Sequence, residues 1–305
     1  MNDQVQEFLD GLFKTETFNI LPSEFGGGFI FDPPLIGVAA GDDDLYDRYK
    51  ELVGPRHKTP LEMWTEGGLS EPEGGASALR VLAVVFPFTN HIRQVARKET
   101  EVPAEIYALA RNWATGFMAE VQYRTVSRFK EQGYEAQAAV KTEVHTLIPL
   151  LEKKTIYSTW SERHMAFAAG LGSFSLHEAF ISEAGCNIRL ATVTTNAPLT
   201  VTPRYSDEPY HNCLHYTENS CDKCLERCPA EAITTEGHDK MKCLAYLQKV
   251  EGINRERERL NPLLKQYHRK VSDQDTAYIP AGCAFCQFGV PCMDKNPMAK
   301  KRLKE

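Results

Sequence analysis

The sequence predicts an α+β protein in two parts, a mixed domain over residues 1–200 and a small cysteine-rich domain over residues 201–305. Three observations support this prediction. Strand-like apolar runs and helix-like periodic segments share the first part, no cysteine precedes Cys186, and eight of the nine cysteines fall between Cys213 and Cys292. A chain of 305 residues with 42% hydrophobic residues is long enough for one large domain or two ordinary ones.

The first part contains segments typical of both buried strands and amphipathic helices. Short apolar or alternating runs bounded by proline, glycine or polar turns predict strands, and apolar residues at helical spacing predict helices. The predicted strands are 35–40, 78–86 and 188–194, and the predicted helices are 45–53 and 104–132. The acidic turn 42–44 is expected to cap the helix that follows it.

Charge and motifs exclude several classes of function. The net charge of -6 disfavours a protein whose main role is to bind nucleic acid through its phosphates. No segment has the roughly 20 consecutive apolar residues of a membrane helix, and the first residues lack the pattern of a secretory signal. We therefore expect a cytoplasmic protein without a membrane partner, in which the cysteines serve metal or redox chemistry rather than disulfides. A dinucleotide-binding fingerprint is absent, since neither glycine group, 26–28 or 170–172, has the further glycine it requires.

The cysteine spacing predicts two four-iron clusters. Residues 221–229 read C-D-K-C-L-E-R-C-P, the C-x2-C-x3-C-P pattern with which bacterial ferredoxins hold iron–sulfur clusters. Cys243 and the run C-A-F-C-Q-F-G-V-P-C over 283–292 supply four more thiolates. Structural zinc also uses paired C-x2-C hooks, but a zinc ribbon lacks the C-x3-C-P extension.

Crossed ligation of the ferredoxin type divides these cysteines into two sets. The first set is Cys213, Cys221, Cys224 and Cys292, and the second is Cys228, Cys243, Cys283 and Cys286. Cys213 is the least regular member, because the usual position is occupied by Glu218. If Cys213 is not a ligand, the first cluster is completed by His211, His215 or Glu218, or it is a three-iron form. Cys186 has no partner nearby in the sequence and is expected to be a small buried thiol.

A resemblance to a known family covers both parts of the chain. Residues 162–173 (E-R-H-M-A-F-A-A-G-L-G-S), 188–191 (I-R-L-A) and 195–199 (T-N-A-P-L) resemble the central A-G-L-G segment, strand and turn of the corrinoid-dependent iron–sulfur reductases. This family includes epoxyqueuosine reductases and reductive dehalogenases, and the cysteine runs follow in the family's order. The resemblance extends from about residue 35 to about residue 297.

The resemblance implies a cobalamin-binding domain of nitroreductase-like fold, followed by a bacterial-ferredoxin-like domain with two 4Fe-4S clusters. The corrinoid would be held base-off, and the nearer cluster would pass electrons to its cobalt. The matching positions imply that the corrinoid contacts Arg163, Gly170, Leu171, Gly172 and Ser173. Glycine at 170 and 172 would allow close approach of the backbone to the cofactor.

The resemblance also directs attention to the proton donor. Epoxyqueuosine reductases carry an aspartic acid where this chain has Asn112, and an amide cannot act as a general acid. Reductive dehalogenases use a tyrosine beside a basic residue, for which Tyr107 and Tyr123 are the candidates. The expected catalytic residues are therefore Tyr107, Asn112 and Tyr123.

The leading hypothesis is an oxidoreductase, dependent on cobalamin and iron–sulfur clusters, that acts on a small organic substrate and takes electrons from an external low-potential donor. One alternative is an epoxyqueuosine reductase, although Asn112 and the negative charge disfavour tRNA as a partner. Another is an electron-transfer or cobalamin-reducing protein with no substrate chemistry of its own.

Overall fold

The computed structural model describes residues 1–139, 147–150, 155–271 and 282–299. The helices are α1 (Asn2–Thr15), α2 (Leu45–Leu52), α3 (Pro60–Glu66), α4 (Asn90–Ala96), α5 (Glu105–Glu131), α6 (Glu162–Ala168), α7 (Leu214–Glu218), α8 (Lys223–Glu226), α9 (Lys240–Glu256) and α10 (Leu260–Val271). The strands are β1 (Leu35–Ala40), β2 (Arg80–Pro87), β3 (Ala136–Gln137), β4 (Leu147–Leu150), β5 (Thr155–Ser158), β6 (Gly172–Phe174), β7 (Phe180–Ser182), β8 (Ile188–Thr195), β9 (Ile233–Thr234) and β10 (Gly237–His238).

The main sheet is antiparallel, with strand order β1-β2-β8-β3. In its register Val84 of β2 pairs with Ile36 of β1 and with Ala191 of β8. Strand β2 is buried on both faces, which explains why its sequence is continuously apolar rather than alternating. Its even-numbered residues, such as Leu82 and Val84, join the core that includes α5, whereas Val81, Ala83 and Val85 join the core around α6. The sheet is therefore the middle layer between α5 and α6.

The long helix α5 connects the sheet with the cysteine-rich segment. Aromatic rings anchor it to the N-terminal part, and the ring of Phe117 lies 4.9 Å from that of Phe13 and 5.8 Å from that of Phe86. Helix α10 packs against α5. A side chain at Gly282 would come within 2.8 Å of the backbone of Ala108 in α5, so the segment carrying Cys283 lies directly on this helix. One hydrophobic core includes residues from both predicted parts.

The predicted strands and helices of the first part are confirmed within two residues at each end. The capping expectation holds in part. Asp44 occupies the N-cap of α2 without a side-chain cap, while Asp43 accepts a hydrogen bond from the Leu45 amide at 3.0 Å and pairs with Arg204. The α+β class is confirmed, whereas the nitroreductase-like architecture and the boundary at residue 200 stay predictions. No helix of the described residues combines the length and apolarity needed to cross a membrane.

Candidate metal centre and adjoining cavity

Eight cysteines form two four-thiol sites in the divided order that the spacing predicts. The outer thiol site consists of Cys213, Cys221, Cys224 and Cys292, which line a small cavity. The inner thiol site consists of Cys228, Cys243, Cys283 and Cys286, which line a larger cavity. The ligand assignment itself stays a prediction, but the required juxtaposition is present.

The thiols of each site perturb one another electrostatically. Burial, followed by the proximity of Cys292, Cys213 and Cys221, raises the pKa of Cys224 to about 12. Burial, followed by Cys283 and Cys228, raises the pKa of Cys243 to about 11. Burial and neighbouring thiols thus oppose ionisation of Cys224 and Cys243, and a positive centre such as cluster iron would favour their thiolate forms.

Backbone amides are also directed at several sulfur atoms. Cys213 stands at the N-cap of α7, where burial raises its pKa and the amides of Leu176, His215 and Tyr216 oppose this by hydrogen bonding to the sulfur. The Ala232 amide lies 3.4 Å from the Cys228 sulfur. Amide donors of this kind stabilise ligating thiolates, so the donor set fits an iron–sulfur cluster at each site.

The alternative ligands considered for Cys213 have other partners, and one of them, Glu218, is exposed and accepts a hydrogen bond from the Ser220 hydroxyl at 3.4 Å. His215 lines the outer cavity, but its Nδ1 lies 2.9 Å from a carboxylate oxygen of Asp222. The His211 ring lies 2.7 Å from the Glu208 carbonyl oxygen and faces a different cavity. Cys213 is itself buried in the outer site, which favours it over either histidine.

Cys186 is a buried thiol, as expected. The structure adds a contact that the sequence does not indicate, since its sulfur lies 3.7 Å from the sulfur of Cys292, 106 positions further along the chain.

The inner thiol site opens into a cavity of about 470 Å³. This volume lies within the usual range of small-ligand pockets. Polar and charged side chains from α5, α6, β8 and α9 line it together with the cysteines, namely Tyr107, Arg111, Glu162, Arg163, Arg189 and Lys240. The cavity therefore combines a candidate electron source with groups able to bind an anion and to donate a proton.

Glu162 is a cavity residue that the sequence analysis missed. It begins α6 directly after the buried Trp160 and Ser161. Burial raises its pKa to about 8, although hydrogen bonds with Thr192 and Trp160 and the charge of Arg189 oppose the shift. Its Oε2 atom has no hydrogen-bond partner among the described residues. Glu162 thus holds its proton at neutral pH, which suits it to donate one.

Two further cavity groups, Arg163 and Lys240, both contact Glu178. Glu178 lies 3.0 Å from Lys240 Nζ, and its backbone carbonyl accepts a hydrogen bond from Arg163. Burial raises the pKa of Glu178, but the nearby His238 ring, the Lys240 ammonium group and the charge of Arg163 outweigh it and bring the pKa to about 2. Glu178 is therefore ionised and offsets the charge of Lys240.

Arg111 and Arg189 have no such partner. Neither forms an ion pair with a carboxylate of the described residues, and Arg189 Nε is buried without a hydrogen-bond partner there. Burial, followed by the charge of Arg111, lowers the pKa of Arg189 to about 10. Two neighbouring guanidinium groups that form no ion pair are stabilised by an anionic ligand.

Of the predicted catalytic residues, only Tyr107 lines the cavity. Its ring packs against those of Phe88 and Phe288 at 5.4 and 4.8 Å. Burial raises its pKa to about 12, opposed by the charges of Arg111 and Arg189, so it too keeps its proton. Asn112 is absent from the cavity lining, and its amide donates to the Ala108 carbonyl at 2.7 Å. Tyr123 is 49% exposed and lies outside the lining.

The five predicted cofactor-binding residues do not lie together in one cavity. Arg163 lines the large cavity, whereas Gly170, Leu171 and Gly172 line a separate cavity of about 240 Å³. Ser173 is buried and accepts a hydrogen bond from the Asn212 amide at 2.9 Å. A side chain at Gly170 would meet the Pro203 carbonyl oxygen at 2.8 Å, and one at Gly172 would meet that of Ile181 at 2.1 Å. Close packing within the chain therefore accounts for both glycines.

The fold and site define an α+β protein with two four-thiol sites, one of which faces a cavity lined by charged side chains. No protein-family model and no curated protein matches the chain.

Similar solved structures are epoxyqueuosine reductases and reductive dehalogenases, the same two kinds of enzyme that the sequence resembles. A selenomethionine-labelled epoxyqueuosine reductase is 15% identical with a TM-score of 0.47, covering 98% of this chain and 70% of its own. The Streptococcus thermophilus epoxyqueuosine reductase is 13% identical with a TM-score of 0.46, covering 98% of this chain and 69% of its own. The catabolic reductive dehalogenase NpRdhA is 15% identical with a TM-score of 0.45, covering 99% of this chain and 38% of its own. This chain therefore spans well under half of that protein. Similarity at this level carries no information about chemistry, and the function has to be argued from the thiols and the cavity.

The expectation that tRNA is disfavoured as a partner receives no support from these structures. One of the similar epoxyqueuosine reductases was solved with an epoxyqueuosine-modified tRNA stem loop. Partner choice is therefore part of the functional test.

Proposed function

We propose that this protein is a cytoplasmic oxidoreductase that depends on two 4Fe-4S clusters and a corrinoid and reduces a small organic substrate. The observation that carries the proposal is that the inner thiol site shares one cavity with Tyr107, Glu162, Arg111 and Arg189. A reductase needs an electron source, a binding site and a proton donor in one place, and this cavity has candidates for all three.

The cavity lining supports a bound cofactor. Four buried polar atoms of lining residues have no hydrogen-bond partner among the described residues, namely Glu162 Oε2, His177 Nδ1, Arg189 Nε and His238 Nδ1. A corrinoid carries amide and phosphate groups at its edge, which both donate and accept hydrogen bonds, and Arg163 would donate to their oxygens. Bound there, the corrinoid would supply low-potential reduction of the substrate.

Electrons would enter at the outer thiol site. The segment 217–220 next to Cys221 is exposed, whereas Cys286 of the inner site lines the large cavity. Cys224 contributes to the electrostatic environment of Cys286, so the two sites are neighbours. An external low-potential donor could thus reduce the outer cluster at the surface.

The unpaired arginines favour an organic anion as the substrate. Arg111 and Arg189 would bind a carboxylate or phenolate and so offset their mutual repulsion. Tyr107, which lies in the electrostatic environment of both arginines, would then be beside the bound substrate. We propose Tyr107 as the proton donor, with Glu162 as the proton reserve of the cavity.

Turnover by holoprotein reconstituted with iron, sulfide and cobalamin tests this function. A chemically reduced viologen supplies electrons to protein incubated with halogenated benzoates, with neutral esters of the same compounds, or with tRNA carrying epoxyqueuosine. We expect dehalogenation of the carboxylates and slower turnover of the esters. Conversion of the tRNA alone would replace this proposal with epoxyqueuosine reduction. Reduction of the cobalamin without conversion of any substrate would identify an electron-transfer protein instead.

A further inference from the structure

Cys186 and His177 lie against Cys292, one of the outer thiols. The Cys292 sulfur is 3.7 Å from the Cys186 sulfur and 4.0 Å from His177 Nε2. The possible ligand atoms of the three residues all lie within 4.8 Å of one another. Cys186 and His177 are 1% and 4% exposed, so water does not separate them from Cys292.

Backbone hydrogen bonds fix this contact. The Cys186 amide donates to the Cys292 carbonyl at 2.7 Å, and the Asn187 amide donates to the Met293 carbonyl at 3.1 Å. Gly185 has a φ of +85°, and a side chain there would meet the Met293 carbonyl oxygen at 2.5 Å. Glycine therefore allows the two segments to pair, and the position of the Cys186 sulfur follows from the backbone.

The pair lies between the two thiol sites. Cys186 and His177 both line the large cavity with the inner thiols, and His177 also lines the small cavity with the outer thiols. A change at either residue would therefore affect a cluster without removing any of the eight predicted ligands.

The chemistry of the three groups defines donors and an acceptor. As an iron ligand, Cys292 is a thiolate and can only accept hydrogen bonds, whereas a Cys186 outside the ligand set keeps its proton. The His177 ring can donate from Nε2, since its Nδ1 has no hydrogen-bond partner among the described residues. Hydrogen bonds to ligand sulfur favour the reduced, more negative cluster and so raise its reduction potential.

We propose that Cys186 and His177 donate hydrogen bonds to Cys292 and raise the reduction potential of the cluster at the outer thiol site. Both are tuning residues rather than ligands. The inference rests on the proposed function, because it requires a cluster at that site.

Anaerobic redox titration of the full-length holoprotein, followed by electron paramagnetic resonance, tests the proposal. The variants are Cys186→Ala, Cys186→Ser, which keeps a hydroxyl donor, and His177→Phe. Only the gain in hydrogen-bond strength on reduction of the cluster changes its potential. We expect Cys186→Ala and His177→Phe each to shift the outer cluster's equilibrium toward the oxidised form by up to about tenfold, a drop of up to about 59 mV for one electron. Cys186→Ser should recover part of this shift, and the inner cluster should keep its potential. Cys243→Ala, which should lose only the inner cluster, assigns the signals.

Each result decides between the two proposals. Wild-type protein without iron–sulfur clusters would refute the proposed function itself. Wild-type protein with both clusters, together with unchanged potentials in Cys186→Ala and His177→Phe, would refute only the tuning. Loss of about four irons in Cys186→Ala would show that Cys186 is a ligand and would also overturn it.

Discussion

Replacing Glu162 with glutamine should abolish a pH dependence of stability that originates at this one carboxyl group. Glu162 has a pKa of about 8 in the folded protein against an ordinary value of 4.5, with burial as the main cause. The shift corresponds to about 5 kcal/mol between the fully protonated and fully ionised limits. The folded state holds the proton more tightly, so this stabilisation is fully present below about pH 4.5 and is lost as the pH rises through 8.

The size of the effect follows for a practical pH range. Between pH 6 and pH 9 the wild-type protein should lose about 3 kcal/mol through Glu162. Glutamine keeps the shape and the neutral charge of the protonated side chain, so the variant should lose none of this. Glu162→Gln should therefore resemble the wild type at pH 6 and be more stable by about 3 kcal/mol at pH 9.

Urea unfolding under anaerobic conditions at the two pH values measures this difference. The other titrating groups are common to both proteins, so the change of the wild type minus that of the variant isolates Glu162. Parallel pH dependence in the two proteins would show that Glu162 is ionised at neutral pH and would remove it as a proton reserve.

Three further predictions concern the cavity and the packing around it. Tyr107→Phe should lower turnover by about 10²- to 10⁴-fold in steady-state assays, whereas the exposed Tyr123→Phe should not, and equal effects would remove Tyr107 as proton donor. Arg189→Met should raise the KM for a carboxylate substrate at least about tenfold and leave that of a neutral ester unchanged; an equal rise for both would refute anion recognition. Gly172→Ala should lower the free energy of unfolding by about 1–3 kcal/mol because its Cβ would lie 2.1 Å from the Ile181 oxygen, whereas Gly252→Ala, in an open position of α9, should raise it by about 0.5–1 kcal/mol. Urea unfolding checks both changes, and a neutral Gly172→Ala would contradict the packing explanation.

Local patterns were sufficient to predict the main elements. The strand β2 carries an apolar residue at almost every position and ends at Pro87. This pattern indicates burial on both faces even when the neighbouring elements are unknown. Ferredoxin spacing and the position of Pro229 likewise predict which thiols cross between sites. The structure groups the same cysteines around two cavities.

Contacts between distant segments were not predictable. Glu162 has the sequence appearance of an acidic residue in the first turn of a helix, where a favourable dipole interaction explains it equally well. Its place in the cavity results from the packing of α6 against β8, which brings Glu162 beside Thr192. Cys186 likewise meets Cys292 only because the tertiary fold pairs their backbones. The spacing within either segment carries no signal of these contacts.

Metal analysis of anaerobically purified protein and two single-cysteine variants tests the central claim most directly. The wild type should contain about eight irons and no zinc. Cys243→Ala should lose the inner cluster and Cys221→Ala the outer one, leaving about four irons in each. Zinc in place of iron, or loss of all the iron in both variants, would contradict two separate clusters at the inner and outer thiol sites.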